Sequence, residues 1–163
     1  MLYHLYDNDC TSVAALMNEL KNNGVYKVSD DVLKKLQKEF FGGFCDDIDT
    51  AATIKKLFDE YHYLCDTHTA VAVNVYEQYI AETKDETPCV IASTASPYKF
   101  ASAVLPALSG KCTGDEFAML NELAEISGTA VPAPLASLHD KEVLHKKCVN
   151  KTQMSAFIKD FLG

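Results

Sequence analysis

Apolar residues recur along this chain at two intervals, and the intervals predict its elements. Val13, Leu16, Met17 and Leu20 follow the i, i+3, i+4, i+7 spacing of a helix face, with Thr11 or Ser12 as cap and Gly24 as stop. Ser29 or Asp30 opens a second helix, whose apolar face is Val32, Leu33, Leu36 and Phe40. Asp49 or Thr50 opens a third, with Ile54, Leu57, Phe58 and Tyr61. A later helix runs from about Gly114, with Phe117, Leu120, Leu123 and Ile126, to Gly128, after which Pro132 and Pro134 interrupt the chain. A last helix starts near Lys151 and is expected to bury Met154, Phe157, Ile158 and Phe161. Short apolar runs predict strands at 26–28, around Phe44, at 63–65, at 89–92 and at 143–145. The 109–114 stretch reads as a loop.

Two strand–turn–helix passages in the middle of the chain stand out. Tyr63-Leu64-Cys65 leads into the polar turn Asp66-Thr67-His68 and a helix from Thr69 to about Thr83. The run Cys89 to Ala92 leads into Ser93-Thr94-Ala95-Ser96, with Pro97 at a first helical position. Two such units in parallel would put both polar turns at the carboxyl ends of neighbouring strands, the edge where open α/β sheets bind ligands.

These residues carry a resemblance. Asp66-x-His68-Thr69-Ala70-Val71, followed 22 positions later by Ser93-Thr94-Ala95-Ser96-Pro97-Tyr98-Lys99-Phe100, resembles the bacterial threonine synthase family. The Leu2-Tyr3-His4-Leu5 opening, Pro132-Ala133-Pro134-Leu135 and the Leu138-x-Asp140-Lys141 turn extend the likeness along the chain. Family members use pyridoxal phosphate and belong to fold type II. The resemblance implies an α/β fold: a helix-rich, three-layer piece of the large domain with few, mostly parallel strands. Two family features are missing. No Ser-Phe-Lys-Asp motif supplies the cofactor-binding lysine, and no Gly- and Asn-rich loop cradles a phosphate. Gly42-Gly43 lacks the spacing for that task. The family more often has proline where Thr67 stands, a departure expected to loosen the turn. The chain therefore resembles the C-terminal portion only, a single domain over 1–163 without the lysine-bearing N-terminal half.

Composition narrows the partners. With 15 basic against 23 acidic residues and a net charge of −8, the chain would not be drawn to nucleic acid or to an anionic membrane surface. There is no run of 18 apolar residues and no secretory pattern at the N-terminus. The six cysteines lie 20 to 36 positions apart, without Cys-x-x-Cys or zinc-ligand spacing, which reads as free thiols in a reducing cytoplasm. His4, His62, His139 and His145 share no metal-like spacing, and the 46–49 carboxylates lack the Gly and distal Glu of a calcium loop. Hydrolase chemistry has no support either, since no serine has both a nucleophile-elbow setting and a base.

Among candidate residues, the resemblance singles out Thr94, with Ser93 secondary: a hydroxyl at that position hydrogen-bonds the pyridine nitrogen of the cofactor and moderates it as an electron sink. From the residues alone, Ser93 and Thr94 could equally satisfy turn amides or cap the next helix. Asp66, His68 and Thr69 form a polar turn at a helix N-terminus that could face an anionic substrate, or simply cap the helix. Lys99 could pair with a substrate phosphate or carboxylate, or be a solvated helix lysine. It is not the cofactor-binding lysine, and no catalytic residue is expected in this chain.

The resemblance implies conversion of O-phospho-L-homoserine and water to L-threonine and phosphate. The chain alone is expected to be inactive and not to hold pyridoxal phosphate, with the missing N-terminal half as its partner. A non-catalytic module that binds a partner or ligand is the alternative. Exposed sheet edges would favour self-association.

Overall fold

The computed structural model describes residues 1–111 and 114–163; Cys112 and Thr113, within the expected 109–114 loop, lie outside the described residues. The helices expected from the sequence form. They are α1 (Leu2–Leu5), α2 (Cys10–Asn23), α3 (Asp30–Glu39), α4 (Asp47–Tyr61) and α5 (Thr67–Thr83). A 3-10 turn at Pro97–Phe100 leads into α6 (Ala101–Ser109), followed by α7 (Glu116–Ser127) and α8 (Ala133–Ala136). A second 3-10 turn at Lys151–Gln153 opens α9 (Met154–Leu162).

The ends follow local chemistry. Asp9, not Thr11 or Ser12, caps α2: its carboxylate accepts from the Thr11 amide at 2.8 Å and the Ser12 hydroxyl at 2.6 Å. Asp46, the first of the 46–49 carboxylates, caps α4 and accepts from the Asp49 amide at 2.8 Å. Gly24 and Gly128 stop α2 and α7 in the left-handed region, at φ 74° and 68°.

The core sits where α4, α5, α6 and α7 meet. Ile54 from α4, Ala70 from α5, Val104 and Leu105 from α6, and Met119 and Leu123 from α7 pack with Cys65 and Tyr98. Burial of these side chains against one another drives the helices together. The 40–46 stretch crosses α5 so closely that a Cβ on Gly43 would lie 2.6 Å from Val75 Cγ1. This approach, rather than phosphate binding, accounts for the glycine at that position. Gln78 Nε2 donates to the Phe44 carbonyl at 2.7 Å and Phe41 packs edge-on against Tyr79.

The α/β expectation is overturned. No strand is formed among the described residues, so there is no sheet and no three-layer arrangement. Residues 26–28, 44, 63–65, 89–92 and 143–145 lie in stretches with no regular structure instead of joining a ladder. The physical reason is that a helix pairs its own amides, whereas a strand must find another strand. The run expected to be buried at 89–92 is solvated, with Val90 94% exposed. α9 forms, but Met154, Ile158 and Phe161 stay exposed, contrary to the buried face expected of them. No helix among the described residues is long and apolar enough to cross a membrane.

Candidate functional site

Asp66 organises the polar centre of the molecule. It precedes α5 in extended conformation, and its carboxylate accepts from the amides of His68 at 2.9 Å and Thr69 at 3.4 Å. The Thr69 hydroxyl donates to it at 2.5 Å, and His68 Nδ1 stands 3.1 Å away. The residue has no solvent exposure. Burial pushes the carboxyl upward, but the Thr69 hydroxyl, the two amides and the His68 ring more than offset it, so its pKa lies below the ordinary value. Thr67 is the first residue of α5, the position where proline is most easily tolerated. The Asp66 cap closes the turn without it. Beside this charge, Cys65 is buried, and burial together with Asp66 pushes its thiol up to about 11. That thiol is inert packing.

A chain of hydroxyls leaves Asp66 and crosses to the second turn. Thr69 Oγ1 lies 3.0 Å from Ser93 Oγ, and the Tyr63 hydroxyl donates to Ser93 at 3.3 Å. The Thr69 hydroxyl, with its one proton, faces both the Asp66 carboxylate and Ser93 Oγ, and Ser93 Oγ stands as acceptor toward Thr69 and Tyr63. Thr94, next to Ser93, is exposed and its hydroxyl has no partner among the described residues. Downstream, the Tyr98 hydroxyl donates to the Thr129 carbonyl at 2.7 Å, fixing the 3-10 turn that follows.

Four of the six residues singled out from the sequence thus come together: Asp66, His68, Thr69 and Ser93. Thr94 adjoins them. Lys99 does not: it lines a cleft of about 290 Å³ with Glu116, Phe117 and Leu138. His68 instead packs on Phe100, with ring centroids 5.0 Å apart, and lines a different cleft of about 640 Å³ with Cys45, Thr50 and Thr67. Tyr63 was legible only as part of an apolar run, and nothing in the sequence signalled its bond to Ser93. Phe100 is half-buried against His68. Among the described residues, no group of three or more His, Cys, Asp or Glu could hold a metal ion.

Comparison with known proteins bears on this arrangement. The family model described as "Threonine synthase, C-terminal" matches residues 69–158. Threonine synthase of Saccharomyces cerevisiae is 40% identical over 97 residues, covering 56% of this chain and 19% of that protein. The Schizosaccharomyces pombe threonine synthase is 38% identical over 94 residues, 57% of this chain and 18% of the relative. The chain thus spans about a fifth of the length of these relatives. A crystal structure of pyridoxal-phosphate-bound threonine synthase from Brucella melitensis superposes with a TM-score of 0.65 at 29% identity, over 86% of this chain and 26% of that one.

Proposed function

The chain belongs to the threonine synthase family through its C-terminal domain, and from that membership we propose that it is the C-terminal portion of an enzyme converting O-phospho-L-homoserine and water to L-threonine and phosphate. The observation that carries the reading is the uncommitted Thr94 hydroxyl, presented beside the Asp66–Thr69–Ser93 chain at the end of a run without regular structure.

The residues present fit one edge of pyridoxal phosphate and no more. A neutral hydroxyl with both its proton and its lone pairs free suits the pyridine nitrogen, and Thr94 offers one. Neither the Ser-Phe-Lys-Asp lysine motif nor a glycine-rich phosphate loop occurs in this sequence. Those parts would come from polypeptide outside it, in keeping with the share of its relatives that the chain spans. When bound, the cofactor supplies an electron sink for carbanions. The work of this chain is positioning. Thr94 holds the pyridine edge, with Ser93 behind it. Asp66 and Thr69 are committed to the α5 cap, so substrate contact falls to His68, whose exposed ring lies at the mouth of its cleft. Lys99, facing another cleft, meets an anionic substrate group only at that cleft's edge.

In this reading, residues 1–163 act as one folding unit in the cytoplasm, and the exposed run at 89–92 pairs with the missing N-terminal half. Left uncovered, that run promotes self-association. The test mixes this chain with an N-terminal polypeptide from the Saccharomyces cerevisiae relative and pyridoxal phosphate, then measures phosphate release from O-phospho-L-homoserine. Release that requires both polypeptides and falls with Thr94→Ala supports the reading. Binding of the two polypeptides without release would instead favour a non-catalytic module.

A further inference from the structure

We propose that the Tyr63–Ser93–Thr69–Asp66 hydrogen-bond chain is a positioning device, which pins the irregular segment ending at Thr94 to the start of α5 and so fixes where the Thr94 hydroxyl stands. The inference deepens the reading given above and rests on it only for what Thr94 does, not for the device itself.

The segment has little else to hold it. Val90 is almost fully solvated, and residues 89–94 join no ladder. Upstream, the Asp85 carboxylate accepts from the Thr87 amide at 2.9 Å and from the Tyr79 hydroxyl. Downstream, Tyr98 is anchored to Thr129. Between these two anchors, the side-chain tether of the segment is Ser93, held on one side by Thr69 and on the other by Tyr63. Asp66 is the fixed end. It has no exposure, and its backbone sits at the cap of a 17-residue helix packed on α4. Ser93 Oγ accepts from the Thr69 hydroxyl, which also reaches the buried Asp66 carboxylate, and from the Tyr63 hydroxyl. Ser93 Oγ is thus held from two sides, which restricts its rotamer. Ser93 and Thr94 are adjacent, so fixing one side chain and its backbone limits where the next can point.

The test measures ¹⁵N order parameters along the wild-type chain and four variants, together with the titration of the Asp66 carboxyl by ¹³C NMR. In wild type, residues 92–95 should show values near those of rigid backbone, about 0.85. Ser93→Ala, which leaves the Asp66–Thr69 bond intact, should lower them toward about 0.6 or less while core residues of α6 and α7 stay unchanged. Thr69→Val should loosen the same residues and also raise the Asp66 pKa, and Thr69→Ser should restore both. If Thr69→Val does not fold, Ser93→Ala and Tyr63→Phe still decide the matter. Unchanged order at 92–95 in Ser93→Ala overturns the device, and so does loosening that spreads equally through α6 and α7. The reading of Thr94 fails separately: Thr94→Ala that leaves the cofactor's absorption spectrum unaltered in the complemented enzyme removes its role while the tether remains.

Discussion

The α4–α7 centre and the irregular run at 89–92 are both built from apolar residues, yet one is dry and the other is largely wet. Val104, Leu105 and Leu123 have no exposure, whereas Val90 is almost wholly solvated. The difference does not lie in hydrophobicity. A helix satisfies its own amides and needs a neighbour only for its apolar face, and α4 to α7 supply such neighbours to one another. An extended run must also find a partner for every other amide, and no strand is present among the described residues to provide it. Apolar sequence outside a helix thus stays solvated where no second strand meets it among the described residues.

The comparison can be broken at several points. Leu105→Ala should cost roughly 2–5 kcal/mol, because it opens a cavity where α4, α6 and α7 meet; urea denaturation followed by circular dichroism measures it. Asp66→Ala removes the α5 cap and the closer of the two acceptors of the Thr69 hydroxyl, for a loss of about 1–3 kcal/mol in the same experiment. Asp66→Asn should lose less.

The acid limb sharpens the contrast further. The Asp66 carboxyl lies below its ordinary value when folded, so its contribution is complete above the unfolded value of about 3.9. That contribution is lost as pH falls from there through the folded pKa. Urea midpoints measured between pH 2 and pH 6 should therefore fall more steeply at the acid end for wild type than for Asp66→Asn. Equal slopes would mean that the carboxyl is not held in the charged form by its donors.

The smallest effect belongs to the run at 89–92. Val90→Ser should change stability by no more than about 0.5 kcal/mol in this chain, since the side chain is already in water. The same substitution should weaken association with the N-terminal polypeptide, read by titration calorimetry. A large loss in the isolated chain would show that the run is packed after all, and the contrast with the helical centre would disappear.

How far the sequence reaches differs between the fold and the site. The helix faces of α2, α3, α4 and α7 were visible from their spacing, and Gly24 and Gly128 marked two of their ends. Caps were visible as residue types but not always as residues, because Asp9 competes with Thr11 and Ser12 and wins by accepting from both. At the site, the polar turn at 66–69 could be read as a cap or as a ligand contact. In the structure Asp66 and Thr69 serve the cap, and His68 keeps an exposed ring. The bond from Tyr63 to Ser93, 30 positions away, had no sequence signal. Nor did the separation of Lys99 from His68 into two clefts.

By itself the sequence determined what depends on near neighbours: helix periodicity, the small polar turns, the acidic balance and the family to which the motifs belong. Helices and caps are closed by residues within a few positions of each other, so local order suffices to specify them. The tertiary structure alone decided which apolar runs are buried, which of the two turns share a hydrogen-bond chain, and that the expected sheet is absent. Those outcomes depend on partners far along the chain or outside it, because a strand, a buried face and a hydroxyl relay each exist only when a second surface supplies the other half of every contact.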